Sequence, residues 1–256
     1  MRRHAPGVPG FTLVELLTVL AVIAVLAGIL LPVLASARAS ARNSVCTSNL
    51  HQLGVAFQAY VQDYDDLLPY GIDFADKYNS SRWSHPFIPD AAERIERLAK
   101  LNRLLPEVMS AYVKSRELWR CPSDVGLAFT DFSHIIGGYY TGSETAYEAF
   151  GMSYGYRTEL ALLEKPLTSL RTPSKVNVLA DSAGYWHTRY HRLPHIMGQS
   201  DVADQSKWSF NVLYADWHVK FVSWEEYTRI AWGETLADRD PFELHPEAGA
   251  AAPSGR

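Results

Sequence analysis

Residues 11–34 read FTLVELLTVLAVIAVLAGILLPVL, an apolar stretch in which Glu15 is the one charged side chain. A helix of this length spans about 36 Å, because each residue adds about 1.5 Å, and the hydrocarbon core of a bilayer is about 30 Å thick. Within a soluble domain, such a helix would need burial on every side. The stretch therefore predicts a membrane-spanning segment, and the rest of the chain is interpreted around it.

The flanks of this segment leave three membrane interpretations open. The first is a plain single-pass anchor. The second is a secretory signal peptide, which the basic start and the small-residue site Ala-Ser-Ala at 35–37 favour, with a mature chain beginning at Arg38. However, the apolar stretch exceeds the about 7–15 residues typical of signal peptides, and it contains Glu15. The third interpretation accounts for Glu15.

The string Gly10-Phe11-Thr12-Leu13-Val14-Glu15 resembles the type IV prepilin signature, a glycine followed by a hydrophobic residue and, five residues into the mature chain, a glutamate. The resemblance implies that a prepilin peptidase cuts between Gly10 and Phe11 and methylates the new amino group. Pro32 then occupies the twenty-second mature position, where pilins and pseudopilins commonly carry proline. Ala24 departs from the pattern, since many relatives have glycine there.

Glu15 has a physical rationale in this interpretation. A carboxylate within the apolar phase costs about 3 kcal/mol and therefore needs a partner. In a packed filament, the amino group of Phe11 from a neighbouring subunit would supply that partner. The alternative is that Glu15 lies at the membrane interface and extends its carboxylate into water.

Charge counting does not orient the segment, because two arginines flank it on each side: Arg2 and Arg3, then Arg38 and Arg42. The resemblance implies a short cytoplasmic N terminus and an extracytoplasmic head on the inner membrane. The partners it implies are prepilin peptidase, other pilin or pseudopilin subunits and the membrane itself.

Beyond residue 34 the apolar pattern becomes amphipathic, with apolar residues at steps of three and four: Leu50, Leu53, Phe57, Tyr60 or Val61, and Tyr64. Pro69 marks the end of this pattern. A continuous helix from about residue 11 to 66 would be about 80 Å long. A cleavable signal peptide predicts no such continuity, whereas a pilin requires it.

Two further elements resemble a family of large-headed pilin-like proteins. One is the run from Cys46 to Phe57, CTSNLHQLGVAF, and the other is the Cys-Pro pair in LWRCPSD at 118–124. In an oxidising compartment, Cys46 and Cys121 would form one disulfide between stalk and head. Two separate thiols remain the alternative, because spacing cannot show that the Cα atoms lie close enough.

The head is predicted to be α+β, a long N-terminal helix packed on a small antiparallel sheet with inserted loops. Residues 91–116 read as a helix interrupted by Pro106, and Ser223 begins a capping box for a helix to about Trp232. Asp216 and Trp217 separate two strands where relatives have Asp-Gly; because Trp217 does not suit a primed turn, we expect a different turn or diverging strands. The predicted strands cover 152–156, 176–180, 210–215 and 218–222.

These patterns divide the chain into four parts. The leader peptide covers 1–10, and the transmembrane and assembly helix covers 11–34. The extracytoplasmic head covers 35–237 and includes the amphipathic helix to about 66. The frayed tail covers 238–256.

The sequence offers two candidate metal groups and no obligatory cofactor. His187, His191 and His195 have the four-residue spacing that would align three zinc ligands on a helix, although Pro194 favours a loop of surface histidines. A calcium cluster would use three acidic side chains, which a solvated helix end explains equally: Asp63, Asp65 and Asp66.

Composition narrows the function classes. The net charge of −4 disfavours non-specific nucleic-acid binding, which rests on neutralising phosphates. The common hydrolase, metalloprotease and phosphate-loop motifs are absent from the sequence. The leading hypothesis is a structural subunit, not an enzyme, of a pilus-like or type II secretion pseudopilus fibre. The alternative is a membrane-anchored binding protein or metal-dependent hydrolase with the histidine loop as its site.

Overall fold

The computed structural model describes residues 12–78, 88–127, 145–187 and 205–228. The chain divides into two compact units, Met1–Ala41 and Arg42–Arg256. A long N-terminal helix and a four-stranded antiparallel sheet confirm the predicted α+β class. The predicted leader, 1–10, and tail, 238–256, lie outside the described residues.

Helix α1 runs over Leu13–Asp63 and contains Pro32. Proline removes one backbone donor from a helix, yet α1 remains a single element on both sides of Pro32. The helix ends where Asp65 and Asp66 adopt left-handed conformations, with φ of 51° and 63°. The predicted continuity of the apolar and amphipathic segments is therefore present, with the end at Asp63 instead of about residue 66.

The sheet has the order β1-β2-β3-β4, with each strand antiparallel to its neighbour. Every predicted strand exists, with its bounds shifted by one or two residues because pairing, not pattern, sets where a strand ends. Central strand β2 is buried throughout, whereas edge strand β4 is largely exposed. The strands are β1 Tyr154–Tyr156, β2 Asn177–Asp181, β3 Ser209–Tyr214 and β4 Val219–Ser223.

The turn between β3 and β4 bears out one of our two expectations, a turn other than the primed two-residue type, since the Trp217 N–H donates to the Tyr214 carbonyl and Asp216 has no positive φ. The two strands stay paired from Ser209 opposite Ser223 to Leu213 opposite Val219, so they do not diverge. Trp217 instead adopts a left-handed φ of 71°, which costs a non-glycine residue about 1–2 kcal/mol. Its ring lies 6.1 Å from the ring of Phe57 and packs against the core. Burial of the indole offsets the backbone strain.

The core of the head forms where the amphipathic part of α1 lies against the sheet. Leu50, Leu53 and Phe57 are fully buried, as the three- and four-residue spacing predicts. Gly54 allows the close approach, because a Cβ at that position would lie 3.0 Å from Cδ1 of Leu213 on β3. A second, smaller core surrounds helix α3, Ala91–Lys100.

The prediction of a helix over 91–116 that is interrupted at Pro106 is wrong in the extent of the helix and in the position of the break. Helix α3 stops at Lys100 because Asn102 adopts a left-handed φ of 51°. A new helix begins at Leu105 with Pro106 in its first turn, where the missing N–H of proline costs little. The shorter helices are α2 Phe74–Tyr78, α3 Ala91–Lys100, α4 Leu105–Val108, α5 Ala146–Phe150, α6 Thr158–Leu162 and α7 Trp224–Glu226. The 3₁₀ turns are Arg116–Trp119, Leu167–Ser169, Pro173–Lys175, Gly184–His187 and Gln205–Lys207.

Half of the predicted capping box at Ser223 is present. The Ser223 hydroxyl accepts a hydrogen bond from the N–H of Glu226 at 3.3 Å and so caps α7. In a complete capping box the Glu226 carboxylate would accept a hydrogen bond from the Ser223 N–H. Here that carboxylate pairs with Lys220 on β4 instead. The predicted end of this helix, Trp232, lies outside the described residues.

Candidate functional site

The N-terminal end of α1 carries the predicted assembly residue Glu15. Its carboxylate accepts hydrogen bonds from the backbone N–H of Thr12 at 2.8 Å and from the Thr12 hydroxyl at 2.7 Å. The Thr12 hydroxyl in turn accepts from the N–H of Glu15 at 3.3 Å. This reciprocal pattern is a capping box, a local role for Glu15 that we did not predict. The processing residues Gly10 and Phe11 lie outside the described residues.

The apolar surface of α1 up to residue 34 is exposed on every side. Leu13 is 80% exposed, Leu26 61% and Leu34 42%, and Pro32 lies within the same exposed stretch. Among the described residues, α1 is the one helix long and apolar enough to cross a membrane. A signal sequence would pass the same test of length and composition, so the exposed surface alone does not separate the three membrane interpretations.

A disulfide fixes α1 to the head. Cys46 on α1 and Cys121 are bonded, with their Cα atoms 4.8 Å apart and both residues fully buried. One turn further along the helix, the Asn49 amide donates to the backbone carbonyl of Arg120 at 2.8 Å. The same stretch of α1 is therefore held covalently and by a hydrogen bond to the segment around Cys121.

A buried amide on β3 connects α1 to the sheet. The side-chain oxygen of Asn211 accepts from the Thr47 hydroxyl at 2.8 Å, and its amide nitrogen donates to the Asn43 side chain at 2.9 Å. The same amide nitrogen lies 3.0 Å from Oδ2 of Asp181, which also accepts from the Asn211 backbone N–H at 2.6 Å. Sequence patterns missed this network, because Asn211 lies more than 160 residues from its partners on α1.

Asp181 and His187 form a buried pair beside the disulfide. Nε2 of His187 lies 2.8 Å from Oδ2 of Asp181, and the two side chains are 2% and 0% exposed. The same nitrogen lies 3.8 Å from Sγ of Cys121. His187 ends a 3₁₀ turn that begins at Gly184, where a Cβ would lie 2.5 Å from the ring of Phe210. Glycine is therefore required for this turn to lie so close to β3.

The predicted histidine group is only partly within the described residues. His187 faces the disulfide, whereas His191 and His195 lie outside the described ranges. Within the described residues, the one group of three side chains that could hold a metal ion combines His187 with the two cysteines of the disulfide, Cys46 and Cys121.

Two of the three aspartates of the predicted calcium cluster have structural roles. Asp63 accepts a hydrogen bond from the Tyr112 hydroxyl at 2.8 Å, which raises the pKa of Tyr112 to about 12. Oδ2 of Asp66 accepts from the backbone N–H of Thr168 at 2.7 Å. These contacts, together with the left-handed backbone of Asp65 and Asp66, shape the end of α1.

The Cys-Pro-Ser-Asp element organises the backbone beyond Cys121. The Asp124 carboxylate accepts from the backbone N–H groups of Gly126, Ala146 and Tyr147 and from the Ser153 hydroxyl, at 2.7–3.0 Å. Burial raises the pKa of Asp124, and these four donors oppose the shift. Because Ala146 and Tyr147 begin α5, the carboxylate also interacts favourably with the positive end of that short helix.

A cavity of about 520 Å³ lies at the end of α1. Its wall is rich in tyrosine and carries charged side chains of both signs. The lining includes Tyr60, Asp63, Tyr64, Tyr70, Arg97 and Glu164. Sequence reasoning missed this cavity, because its residues come from three separate parts of the chain.

Comparisons with known proteins identify two matches along this chain. Residues 35–169 match the family described as Protein of unknown function (DUF1559), which covers more than half of the chain. Residues 9–31 match the Prokaryotic N-terminal methylation motif. No curated protein and no solved structure matches the chain. The first match begins at residue 35 and includes both cysteines, and the second includes Gly10 and Glu15 and ends at residue 31, before Pro32.

Proposed function

The chain belongs to the family described as Protein of unknown function (DUF1559), and on that premise we propose that it is a structural subunit of a pilus-like or type II secretion pseudopilus fibre. Its N-terminal methylation motif makes it a pilin-like, prepilin-type protein. In this proposal a prepilin peptidase cuts after Gly10 and methylates Phe11. The chain is then a substrate and a building block, and it performs no catalysis itself.

The observation that carries the proposal is the methylation motif placed directly on the start of a long apolar helix. The motif covers residues 9–31, and α1 continues from Leu13 to Asp63 without a break. A cleavable signal peptide would end near residue 37, so its cleavage site would fall inside this helix. The pilin interpretation needs that continuity, because the same helix must both enter the membrane and form part of the head.

The disulfide supports placing the head outside the cytoplasm. Disulfides persist in oxidising compartments such as the periplasm and are rare in the cytosol. The bond between Cys46 and Cys121 therefore favours an inner-membrane protein with a short cytoplasmic N terminus and an extracytoplasmic head. A head of about two hundred residues suits a minor or tip subunit, because bulky heads crowd a densely packed fibre.

The experiment that tests the proposal is the N-terminal mass of the protein recovered from native membranes. We expect a chain that begins with methylated Phe11. An intact Met1 would favour the plain anchor, and a chain beginning at Arg38 would favour secretion; either result overturns the proposal.

A variant of the cleavage residue sharpens this test. Gly10→Val should leave the leader attached, because the signature requires glycine before the cut. Gly7→Ala, a change of another leader glycine, serves as the matched control and should be processed normally. Normal processing of Gly10→Val would contradict cleavage at this position.

A further inference from the structure

We propose that the buried cluster around the disulfide is a transition-metal site, of the kind that zinc occupies, whenever the two cysteines are reduced. The cluster consists of Cys46, Cys121, His187 and Asp181, and we call it the Cys–His–Asp cluster. The disulfide and the metal are alternative states of one site. This proposal does not depend on fibre assembly.

The ligand atoms already lie at coordination spacing. Each pair among Cys46 Sγ, Cys121 Sγ and the His187 ring nitrogen lies within 4.8 Å. Nε2 of His187 is 3.8 Å from Cys121 Sγ. Tetrahedral zinc, with bonds of about 2.3 Å to sulfur and about 2.0 Å to nitrogen, separates these two ligands by about 3.5 Å. The imidazole therefore needs almost no movement, and the two sulfurs need only separate.

Asp181 is not part of that mutually close group of three, but it lies beside His187 and would supply the fourth position after a shift of its side chain. Its Oδ2 lies 2.8 Å from Nε2 of His187, and these two atoms would separate to about 3.3 Å to bind the same tetrahedral zinc ion. Asn211 donates to the same oxygen through its backbone N–H and its amide, which holds the carboxylate in place. Metal sites commonly use such an outer layer of hydrogen bonds to orient their ligands.

The burial of all four side chains also favours a site that encloses an ion. Both cysteines are fully buried, and the His187 and Asp181 side chains are 2% and 0% exposed.

The chemistry of the donors selects the metal. Thiolate and imidazole ligands favour zinc and other borderline or soft ions over calcium and magnesium, which take oxygen ligands. A phosphine reductant first attacks one sulfur and breaks the S–S bond; water then supplies the oxygen of the phosphine oxide and the two protons of the two thiols. Binding of the divalent ion then releases the two thiol protons, as both sulfurs coordinate as thiolates.

The test uses the full chain in detergent, reduced with a phosphine under mild denaturant, because the disulfide is buried. After refolding without oxygen, cobalt(II) reports thiolate coordination through its charge-transfer and tetrahedral visible absorption. Zinc then displaces cobalt, and elemental analysis measures the stoichiometry. We expect one metal per reduced chain and none per oxidised chain.

Three variants locate the site. His187→Ala, which removes a ligand, should weaken binding at least about 100-fold, and Asp181→Asn, which keeps one side-chain oxygen at the fourth position, about 10-fold. His218→Ala is the matched control. His218 is a half-exposed histidine that follows β3 in the chain, whereas His187 precedes β3. This variant should bind the metal like the parent chain.

Several outcomes would overturn the proposal. These are a folded, reduced chain that binds no cobalt or zinc, equal binding by the oxidised chain, and unchanged binding by His187→Ala. If the reduced chain does not refold alone, zinc should restore its tryptophan fluorescence and helical circular dichroism. Failure of zinc to restore them, with the oxidised chain as the folded reference, would equally contradict the site.

Discussion

The two parts of helix α1 contain the same kinds of apolar side chain in opposite environments. Leu26 is 61% exposed, whereas Leu53 is fully buried. In the first part apolar residues cover the whole circumference, so no single face of a protein could bury them. In the second part they form one stripe that matches the sheet. The apolar part of the helix needs an environment from outside the chain, while the amphipathic part finds its partner within it.

The largest expected effect concerns the carboxylate of the apolar part. Glu15→Leu should be processed but should disappear from the assembled fibre fraction, because it lacks the partner for a neighbouring amino terminus. Immunodetection in sheared fibres and in membranes measures both quantities. Thr12→Ala removes the local capping contacts and keeps the carboxylate, so it should assemble. If the Glu15→Leu variant assembles into fibres and the Thr12→Ala variant does not, the role of Glu15 is to cap the helix and not to pair with a neighbouring subunit.

Matched leucine truncations test the contrast directly. Leu53→Ala should lower the free energy of unfolding of the head by about 3–5 kcal/mol, because it leaves a cavity between α1 and the sheet. Leu26→Ala should change it by less than about 0.5 kcal/mol. Urea unfolding of the full chain in detergent, followed by tryptophan fluorescence, measures both. Equal losses would mean that the apolar part of the helix contributes to the stability of the head.

The covalent link in the second part of the helix has a somewhat smaller expected effect. Replacing both Cys46 and Cys121 with alanine should cost about 2–4 kcal/mol in metal-free buffer, because the bond closes a loop of 75 residues in the unfolded chain. The same urea titration measures the loss. Unchanged stability would show that the packing around the two sulfurs suffices without the bond.

The smallest expected effect concerns a buried carboxylate of the head. Burial raises the pKa of Asp73 from 3.8 to about 6, although its oxygens accept from the N–H groups of Asp76 and Tyr156 at 3.0 Å. The folded chain therefore binds this proton more tightly than the unfolded chain. Its contribution to stability is complete below about pH 4 and is lost as the pH rises through about 6.

Between these two values, the contribution of Asp73 changes by about 1 kcal/mol per pH unit. Asp73→Asn should remove this part of the pH slope in urea titrations at several pH values. Asp124, whose pKa burial also raises, should keep a remainder. A variant with the full wild-type slope would show that Asp73 does not titrate in this range.

The features that local pattern encodes were predictable. The membrane segment is one contiguous run of apolar residues, and the methylation motif consists of a few adjacent residues. The match to the N-terminal methylation motif supports the second of these predictions. The amphipathic stripe and the four strands also follow from spacing within short windows, and their existence is confirmed. Their bounds were less accurate, because the ends of elements depend on caps and pairing partners elsewhere in the chain.

The remaining features depend on residues that are distant in sequence. Sequence spacing alone does not decide whether Cys46 and Cys121 form a disulfide. Only the packing of α1 beside Cys121 brings their Cα atoms to within 4.8 Å. Trp217 tolerates a left-handed backbone because Phe57, 160 residues earlier, helps to bury its ring. Short-range sequence patterns thus determined where helix and strands form and which segment is apolar. The tertiary structure alone decided which polar and sulfur atoms meet, because those contacts depend on loop closure and packing that no local window contains.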